Sequence, residues 1–202
     1  MIAFLGGTFD PIHLGHLEAA KKIQQLNFFK KVSLLPSYQP VQKNICLFDL
    51  SQRIEMIESA LDEYPTIGLD YDEIDSKNPS YMIDTLKLKK NINPDQGVCL
   101  IIGTDTLENL SSWKDSQVLK EFCHLFVIKR PKYPYNKVKQ CGFELVDSLD
   151  KLSESRSGYV YFSDLRMLDI SSTEIREKIL NKKSIESLTP YSVTSKIASY
   201  GF

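Results

Sequence analysis

Two of the three histidines in this chain, His13 and His16, lie three residues apart near the N-terminus. Side chains at positions i and i+3 share one face of a helix, so both imidazoles can contact the same ligand. Gly6 and Gly7 precede them and leave backbone N–H groups accessible. A helix N-terminus after such a turn attracts anions. The segment therefore predicts a phosphate site in which the imidazoles donate hydrogen bonds or carry positive charge.

A second candidate phosphate segment lies near the C-terminus and reads ISSTEIR, from Ile170 to Arg176. Hydroxyl and N–H groups at a helix start bind phosphate, and a guanidinium adds a forked cation. Taken alone, Ser171 to Glu174 is also an ordinary helix capping box. The chain contains neither GxxxxGK[ST] nor GxGxxG, so neither common nucleotide-binding fingerprint applies.

Composition narrows the function class. The 202 residues carry 25 Lys and Arg against 26 Asp and Glu, a net charge of −1, and 42% are hydrophobic. These values exclude general disorder and a polybasic nucleic-acid binder. No secretory signal is recognisable, and no apolar run approaches the roughly 18 residues of a membrane helix. The four cysteines lack zinc-site spacing, so no metal-binding residues are predicted. We expect one cytoplasmic domain, 1–202, without nucleic-acid or membrane partners.

Apolar strands alternate with amphipathic helices along the chain. Short apolar runs predict strands at 2–5, 32–35, 66–71, 98–102, 125–128 and 159–162. Helical periodicity predicts helices at 15–28, 50–61 and 81–90, and two more that begin at Ser171 and just after Thr189. This order favours an α/β fold, a Rossmann-like doubly wound parallel sheet with a helical C-terminal end. Such sheets bind ligands at the carboxyl ends of their strands.

Several segments together carry a family resemblance over nearly the whole chain. The stretch from Gly6 to His16 resembles the phosphate-binding loop of the nucleotidyltransferase superfamily, and Ser171 to Arg176 resembles its serine-rich turn. Three further stretches resemble segments of bacterial nicotinate mononucleotide adenylyltransferases: 78–86, 101–107 followed by Trp113, and 127–131.

The resemblance implies transfer of AMP from ATP to nicotinate mononucleotide, with release of pyrophosphate, in NAD biosynthesis. It implies that Mg²⁺ arrives with ATP and has no dedicated protein ligands. It assigns catalytic roles to His13, His16 and Arg176. The implied ATP-binding residues are Gly6, Gly7, Thr8, Phe9, His13, His16, Lys43, Gly103, Asp105, Ser171, Ser172 and Arg176. The implied pyridine-binding residues are Thr85, as a hydrogen-bond donor to the nicotinate carboxylate, and Trp113, as a stacking platform.

Other interpretations stay open at this level. Asp105 also suits a helix cap, Thr85 an ordinary helix position and Trp113 a core position. The family usually has Pro-His-Lys after the second strand, whereas this chain reads Pro-Val-Gln-Lys at 40–43, so a histidine is missing. A pantetheine-phosphate adenylyltransferase, a cytidylyltransferase or a non-catalytic nucleotide sensor are the alternatives. The sequence leaves the oligomeric state open, a homo-oligomer included.

Overall fold

A computed structural model describes residues 1–41, 46–130 and 141–202. Its centre is a seven-stranded sheet with the strand order β3-β2-β1-β4-β5-β7-β6, in which every neighbouring pair is parallel. The strands are β1 (Ile2–Gly7), β2 (Lys31–Pro36), β3 (Gly68–Leu69), β4 (Val98–Gly103), β5 (His124–Lys129), β6 (Glu144–Val146) and β7 (Tyr159–Arg166).

Helices cover both faces of this sheet. They are α1 (Leu14–Gln24), α2 (Leu50–Leu61), α3 (Asp72–Ser76), α4 (Met82–Ile92), α5 (Thr104–Glu108), α6 (Ser172–Leu180) and α7 (Tyr191–Ser199). The start of α2 shows how local chemistry sets such bounds. Asp49 accepts the N–H of Gln52, and the Gln52 side chain accepts the N–H of Asp49. This reciprocal capping box satisfies two otherwise unpaired donors, so the helix begins at Leu50.

Two hydrophobic cores lie on opposite faces of the sheet because side chains alternate along a strand. In β1, Ala3 and Leu5 belong to the core beneath α1, α2, α6 and α7, whereas Phe4 belongs to the core beneath α4 and α5. All six residues of β4 are buried. A parallel strand buried on both faces reads as a continuous apolar run, which is why its sequence predicted it well. The α/β doubly wound prediction is confirmed.

Some predicted boundaries were wrong for identifiable reasons. The helix expected to reach residue 28 ends at Gln24, because Asn27 adopts a left-handed conformation with φ 55°. The strand expected at 66–71 pairs only over Gly68–Leu69, and the last predicted strand continues to Arg166. The short elements α3, α5 and β6 carry too few residues to show a period. No helix in the described ranges is long and apolar enough to cross a bilayer.

The strand order places a crevice at the carboxyl ends of the neighbouring strands β1 and β4. From β1 the chain adds β2 and then β3 on one side, and β4 continues the sheet on the other. At such a switch point the loops that follow the two neighbouring strands diverge and leave a ligand crevice. Here β1 ends at Gly7 and β4 ends at Gly103. The fold therefore brings the first predicted phosphate loop beside the loop after β4.

Candidate active site

A cleft of about 620 Å³ opens at the carboxyl ends of β1 and β4. It brings together segments that are far apart in the sequence: the loop after β1, the loop after β4 and the start of α6. Most of the predicted site residues line it, namely Gly6, Gly7, Thr8, Phe9, His13, His16, Gly103, Asp105, Trp113, Ser171 and Ser172.

The two histidines are held in a stacked pair at the start of α1. Their ring centroids are 3.6 Å apart, with 25° between the ring planes. His13 precedes the helix, and its carbonyl accepts the backbone N–H of His16. His16 is half-buried and meets the Phe9 ring edge-on at 5.0 Å. Both imidazoles line the same cleft.

Gly15 makes the position of His13 sterically feasible. A Cβ on Gly15 would lie 2.9 Å from Nδ1 and 3.0 Å from Cε1 of His13, closer than van der Waals contact. The ring of His13 is almost wholly buried and is stacked on His16, so it has little room to move away. The glycine inside the predicted motif thus serves close side-chain packing within the loop.

Burial sets the charge state of His13. Its side chain is 1% exposed, and desolvation together with the positive charge of Arg130 lowers the pKa of His13 to about 3. The imidazole is therefore neutral near pH 7 and acts through hydrogen bonding rather than through charge. Within the described part of the chain, Nδ1 of His13 has no hydrogen-bond partner. A buried polar atom of this kind points to a ligand or a water as its partner.

Asp10 is not among the cleft-lining residues but holds the first loop in place, a role that the sequence analysis missed. Its carboxylate is buried and accepts the backbone N–H groups of Leu47 and Phe48, both at 3.0 Å. Those two residues end the connection between β2 and α2. Asp10 therefore fastens that connection to the first phosphate loop. An acidic residue inside a loop predicted to bind anions was the available signal.

The second predicted phosphate segment docks on the first. Ser172 Oγ donates to the Pro11 carbonyl at 3.1 Å, and Ser171 caps α6 by accepting the Glu174 N–H. Arg176 differs from expectation, because it is not among the cleft-lining residues. Its Nη1 donates to the main-chain carbonyl of Asp10 at 2.8 Å, and its Nη2 donates to Thr173 Oγ1. In this structure its guanidinium braces the loop.

The loop after β4 carries an ion pair rather than an exposed acid. Asp105 Oδ1 lies 3.1 Å from Arg130 Nε. A Cβ on Gly103 would be 2.3 Å from the same carboxylate oxygen, so the glycine leaves space for it. The Arg130 backbone N–H donates to Thr104 Oγ1 and ties the end of β5 to α5. Asp105 and Arg130 thus form one charged unit on the cleft wall.

Arg53 does not line the cleft but supports two residues that do, Thr8 and Ser37. Its side chain is buried, and its two terminal nitrogens donate to the carbonyls of Thr8, Ser37 and Tyr38. Burial lowers the pKa of Arg53 from its ordinary value, and the acidic groups around it offset part of that shift. The residue therefore joins the loops after β1 and β2.

The two predicted pyridine-binding residues have separate environments. Trp113 is half-buried and lines the cleft. Thr85 lines a neighbouring cavity and donates its hydroxyl hydrogen to Glu73 Oε1 at 2.9 Å. Burial raises the pKa of Glu73, while hydrogen bonds from Ser80 and Thr85 oppose that shift. The expected role of Thr85 as a donor to a ligand is therefore not available in this arrangement.

Two expectations concern metals and the loop after β2. Across residues 1–41, 46–130 and 141–202, no three His, Cys, Asp or Glu side chains converge as metal ligands. Lys43, predicted to reach over the triphosphate, and Gln42, which stands near the missing family histidine, lie outside the described residues.

Comparisons with known proteins place this chain in a family. The cytidylyltransferase-like family model matches residues 4–178. A "Probable nicotinate-nucleotide adenylyltransferase" from Vesicomyosocius okutanii is 36% identical over 197 residues, covering 98% of this chain and 93% of that protein. A protein of the same description from Pseudoalteromonas atlantica is 37% identical, covering 89% of this chain and 84% of that protein.

Solved structures agree on the fold. A Plasmodium falciparum nicotinic acid mononucleotide adenylyltransferase, complexed with NaAD, superposes with a TM-score of 0.78. At 19% identity it covers 100% of this chain and 96% of its own, which establishes a shared architecture. Together with the sequence relatives, these matches show that the chain belongs to the nicotinate-nucleotide adenylyltransferases, within the cytidylyltransferase-like family.

Proposed function

We propose that this protein transfers the adenylyl group of ATP to nicotinate mononucleotide, giving nicotinate adenine dinucleotide and pyrophosphate. The observation that carries the proposal is the convergence of the loop after β1, the start of α6 and Trp113 on one cleft. A phosphate oxygen of the mononucleotide attacks the α-phosphorus, and the bond to the β-phosphate breaks. Because the substrate is itself the nucleophile, the protein has to position and stabilise charge rather than supply a nucleophile.

His13 and His16 act as prearranged donors to the phosphates around the reacting α-phosphorus. A neutral, buried His13 donates a hydrogen bond with no desolvation of its own charge during the reaction. Stacking on His16 and the edge contact with Phe9 keep the pair in place before substrate arrives. Donors that are already oriented lose little energy to reorganisation as charge develops.

The remaining phosphate contacts come from two segments. Gly6, Gly7, Thr8 and Phe9 offer the backbone of the first loop, and Ser171 and Ser172 stand at the start of α6, where helix amides favour anions. Arg176 holds these segments together through Asp10 and contributes its positive charge from behind the loop. Lys43, from the loop after β2, is the last of the proposed phosphate-binding residues.

The adenosine part of ATP binds against the loop after β4. Gly103 has no side chain to fill this part of the cleft. The Asp105 carboxylate accepts hydrogen bonds from the ribose hydroxyls. Its ion pair with Arg130 offsets the negative charge that would otherwise repel the phosphates. Trp113 offers its indole face to the pyridine ring. Thr85 contributes indirectly, by donating a hydrogen bond to Glu73.

Mg²⁺ enters as part of the ATP substrate complex. The described carboxylates of the first loop and the loop after β4 are engaged with N–H groups and with Arg130, so the ion would be held by phosphate oxygens and water. When bound, the ion neutralises charge on the leaving pyrophosphate. We further propose that residues 1–202 act as a single catalytic domain in the cytoplasm.

A pyrophosphate-release assay tests the proposed function. The protein is incubated with MgATP and, in parallel, with nicotinate mononucleotide, its carboxamide analogue or phosphopantetheine, and MgCTP replaces MgATP in a further series. Turnover with MgATP and nicotinate mononucleotide supports the proposal. Turnover restricted to phosphopantetheine or to CTP would assign the protein to another transferase of the family. ATP binding without release under any condition would make it a nucleotide sensor.

A further inference from the structure

A buried arginine contacts the first phosphate loop from outside the cleft. Arg53, in the first turn of α2, is 2% exposed and is not among the cleft-lining residues. Its Nη1 donates to the Thr8 carbonyl at 2.8 Å and to the Ser37 carbonyl at 2.9 Å, and its Nη2 donates to the Tyr38 carbonyl at 3.1 Å. The guanidinium is therefore fixed at three points, and one of them is a peptide group of the phosphate loop.

The Thr8 carbonyl belongs to the same peptide group as the Phe9 N–H. That peptide is trans, so its carbonyl and its N–H point in opposite directions. Because the carbonyl points to Arg53, the N–H points away from Arg53. Thr8 and Phe9 both line the cleft whereas Arg53 does not, so the direction away from Arg53 leads to the cleft side of the loop.

The peptide between Ser37 and Tyr38 shows the same arrangement with both of its ends occupied. Arg53 donates to the Ser37 carbonyl, and the Tyr38 N–H on the opposite side of that peptide donates to Ser80 Oγ at 2.9 Å. Ser80 lines the cleft. A carbonyl held by Arg53 thus goes together with an N–H that is directed to the cleft wall, and here the acceptor of that N–H is seen.

The Phe9 N–H is a buried donor without an acceptor of its own. Phe9 is 2% exposed, and within residues 1–41, 46–130 and 141–202 its N–H makes no hydrogen bond. Phe9 also has a φ of 50°, a left-handed conformation that persists only where the surrounding structure enforces it. A buried donor of this kind points to a ligand or a water as its partner. Turns that expose successive N–H groups in this way are typical anion sites.

We propose that Arg53 is a positioning residue that directs the Phe9 N–H towards a phosphate of the bound nucleotide. The inference rests on the proposed function, which places the triphosphate against this loop. Arg53 acts through the Thr8 carbonyl and does not touch the substrate. Its planar fork suits the task, because a lysine ammonium is a compact point charge that does not reproduce a rigid set of donors to two loops.

The test separates recognition of phosphate from general stability. Calorimetry measures the Kd for MgATP and the Kd for adenosine, which lacks the phosphates, on the full-length wild type, Arg53→Lys, Arg53→Met and Met56→Ala. Met56 lies on the same helix, is fully buried and does not line the cleft, so Met56→Ala is the destabilising control. The Tm of each variant is recorded. Selective ¹⁵N labelling of phenylalanine follows the Phe9 amide by NMR as MgATP is added.

Arg53→Lys is expected to raise the Kd for MgATP about tenfold, the scale of one hydrogen bond to a charged group, and to leave the Kd for adenosine unchanged. Arg53→Met is expected to give the same pattern with a larger fall in Tm. Met56→Ala is expected to lower the Tm while the ratio of the two Kd values stays at the wild-type level. The Phe9 amide proton is expected to move downfield when MgATP binds to the wild type, and not to do so in Arg53→Lys.

Normal MgATP binding by Arg53→Lys would overturn the inference, because positive charge alone would then suffice. Equal weakening of MgATP and adenosine in Arg53→Lys would also overturn it, since Arg53 would then act on the fold alone. A Phe9 amide that does not respond to MgATP in the wild type would overturn it without any variant. A wild type that binds MgATP but releases no pyrophosphate with any mononucleotide would overturn the proposed function alone, because the binding ratios test Arg53 without turnover.

Discussion

Arg176 Nη1 donates to the main-chain carbonyl of Asp10 at 2.8 Å, across 166 positions of the sequence. The same nitrogen lies 3.7 Å from the buried Asp10 carboxylate, which itself accepts the N–H groups of Leu47 and Phe48. One aspartate thereby connects the phosphate loop, α6 and the entrance to α2. This connection explains how a motif near the C-terminus contributes to a site built on the first strand.

Replacing Arg176 by Ala is expected to reduce both stability and ATP binding. A hydrogen bond from a charged donor is worth about 1.5 to 3 kcal/mol, which corresponds to a fall in Tm of about 3 to 12 °C for a domain of this size. The KM for ATP is expected to rise because the loop after β1 loses the hydrogen bond that holds it against α6. Thermal unfolding and kinetics of Arg176→Ala are compared with the exposed Arg166→Ala. A normal Tm with a raised KM would instead mean that Arg176 acts on the phosphates alone.

Gly15→Ala is expected to separate stability from activity. Alanine favours a helix over glycine by up to about 1 kcal/mol, yet its Cβ would overlap the His13 ring. Displacing a prearranged donor lowers kcat by about 10² to 10³. Both kcat and Tm are measured. Gly97→Ala is the control, because a Cβ at Gly97 would lie 3.5 Å from its nearest neighbouring atom, an ordinary van der Waals contact. Full activity in Gly15→Ala would show that the position of His13 is not important for turnover.

Trp113→Ala is expected to raise the KM for the pyridine nucleotide far more than the KM for ATP. The indole lines the cleft from a different segment than the loop after β1, so its loss removes a stacking surface without altering that loop. Both KM values are measured in the same assay, with the second substrate saturating. Equal increases in the two KM values would contradict the assignment of Trp113 to the pyridine ring.

Stability is expected to fall as the pH drops below about 6.5, where His side chains ordinarily titrate. Burial lowers the pKa of His124 to about 4 and that of His13 to about 3. In this window the unfolded chain takes up protons that the folded chain does not, so acid favours unfolding. His124 is held neutral, with Tyr159 N–H donating to Nδ1 and Nε2 facing the Ser155 carbonyl.

Urea unfolding at pH 7.5 and pH 5.0 measures this effect. The wild type is expected to lose stability over that interval, and His124→Gln, which does not titrate, is expected to lose less. The difference between the two pH values, rather than the absolute stability, is the quantity compared, since the substitution also changes packing. An identical loss in wild type and variant would exclude His124 as a contributor.

The sequence by itself determined the sheet and most helices, and it placed the candidate residues of the first loop, because these depend on local periodicity and on short spacings. The stripe at 50–61 and the buried run at 98–102 appear in the structure as α2 and β4. The spacing of His13 and His16 predicted that they could share a ligand, whereas the stacking of the two rings is seen only in the structure.

Only the tertiary structure decided the partners of the polar side chains. Arg176 binds Asp10, Thr85 donates to Glu73, and Asp105 pairs with Arg130, and none of these contacts follows from a local pattern. Each joins two different elements, from the neighbouring helices of Glu73 and Thr85 to the 166 positions between Asp10 and Arg176. A hydrogen-bonding group takes whichever partner the fold places within about 3 Å, so its role depends on packing that sequence spacing does not encode.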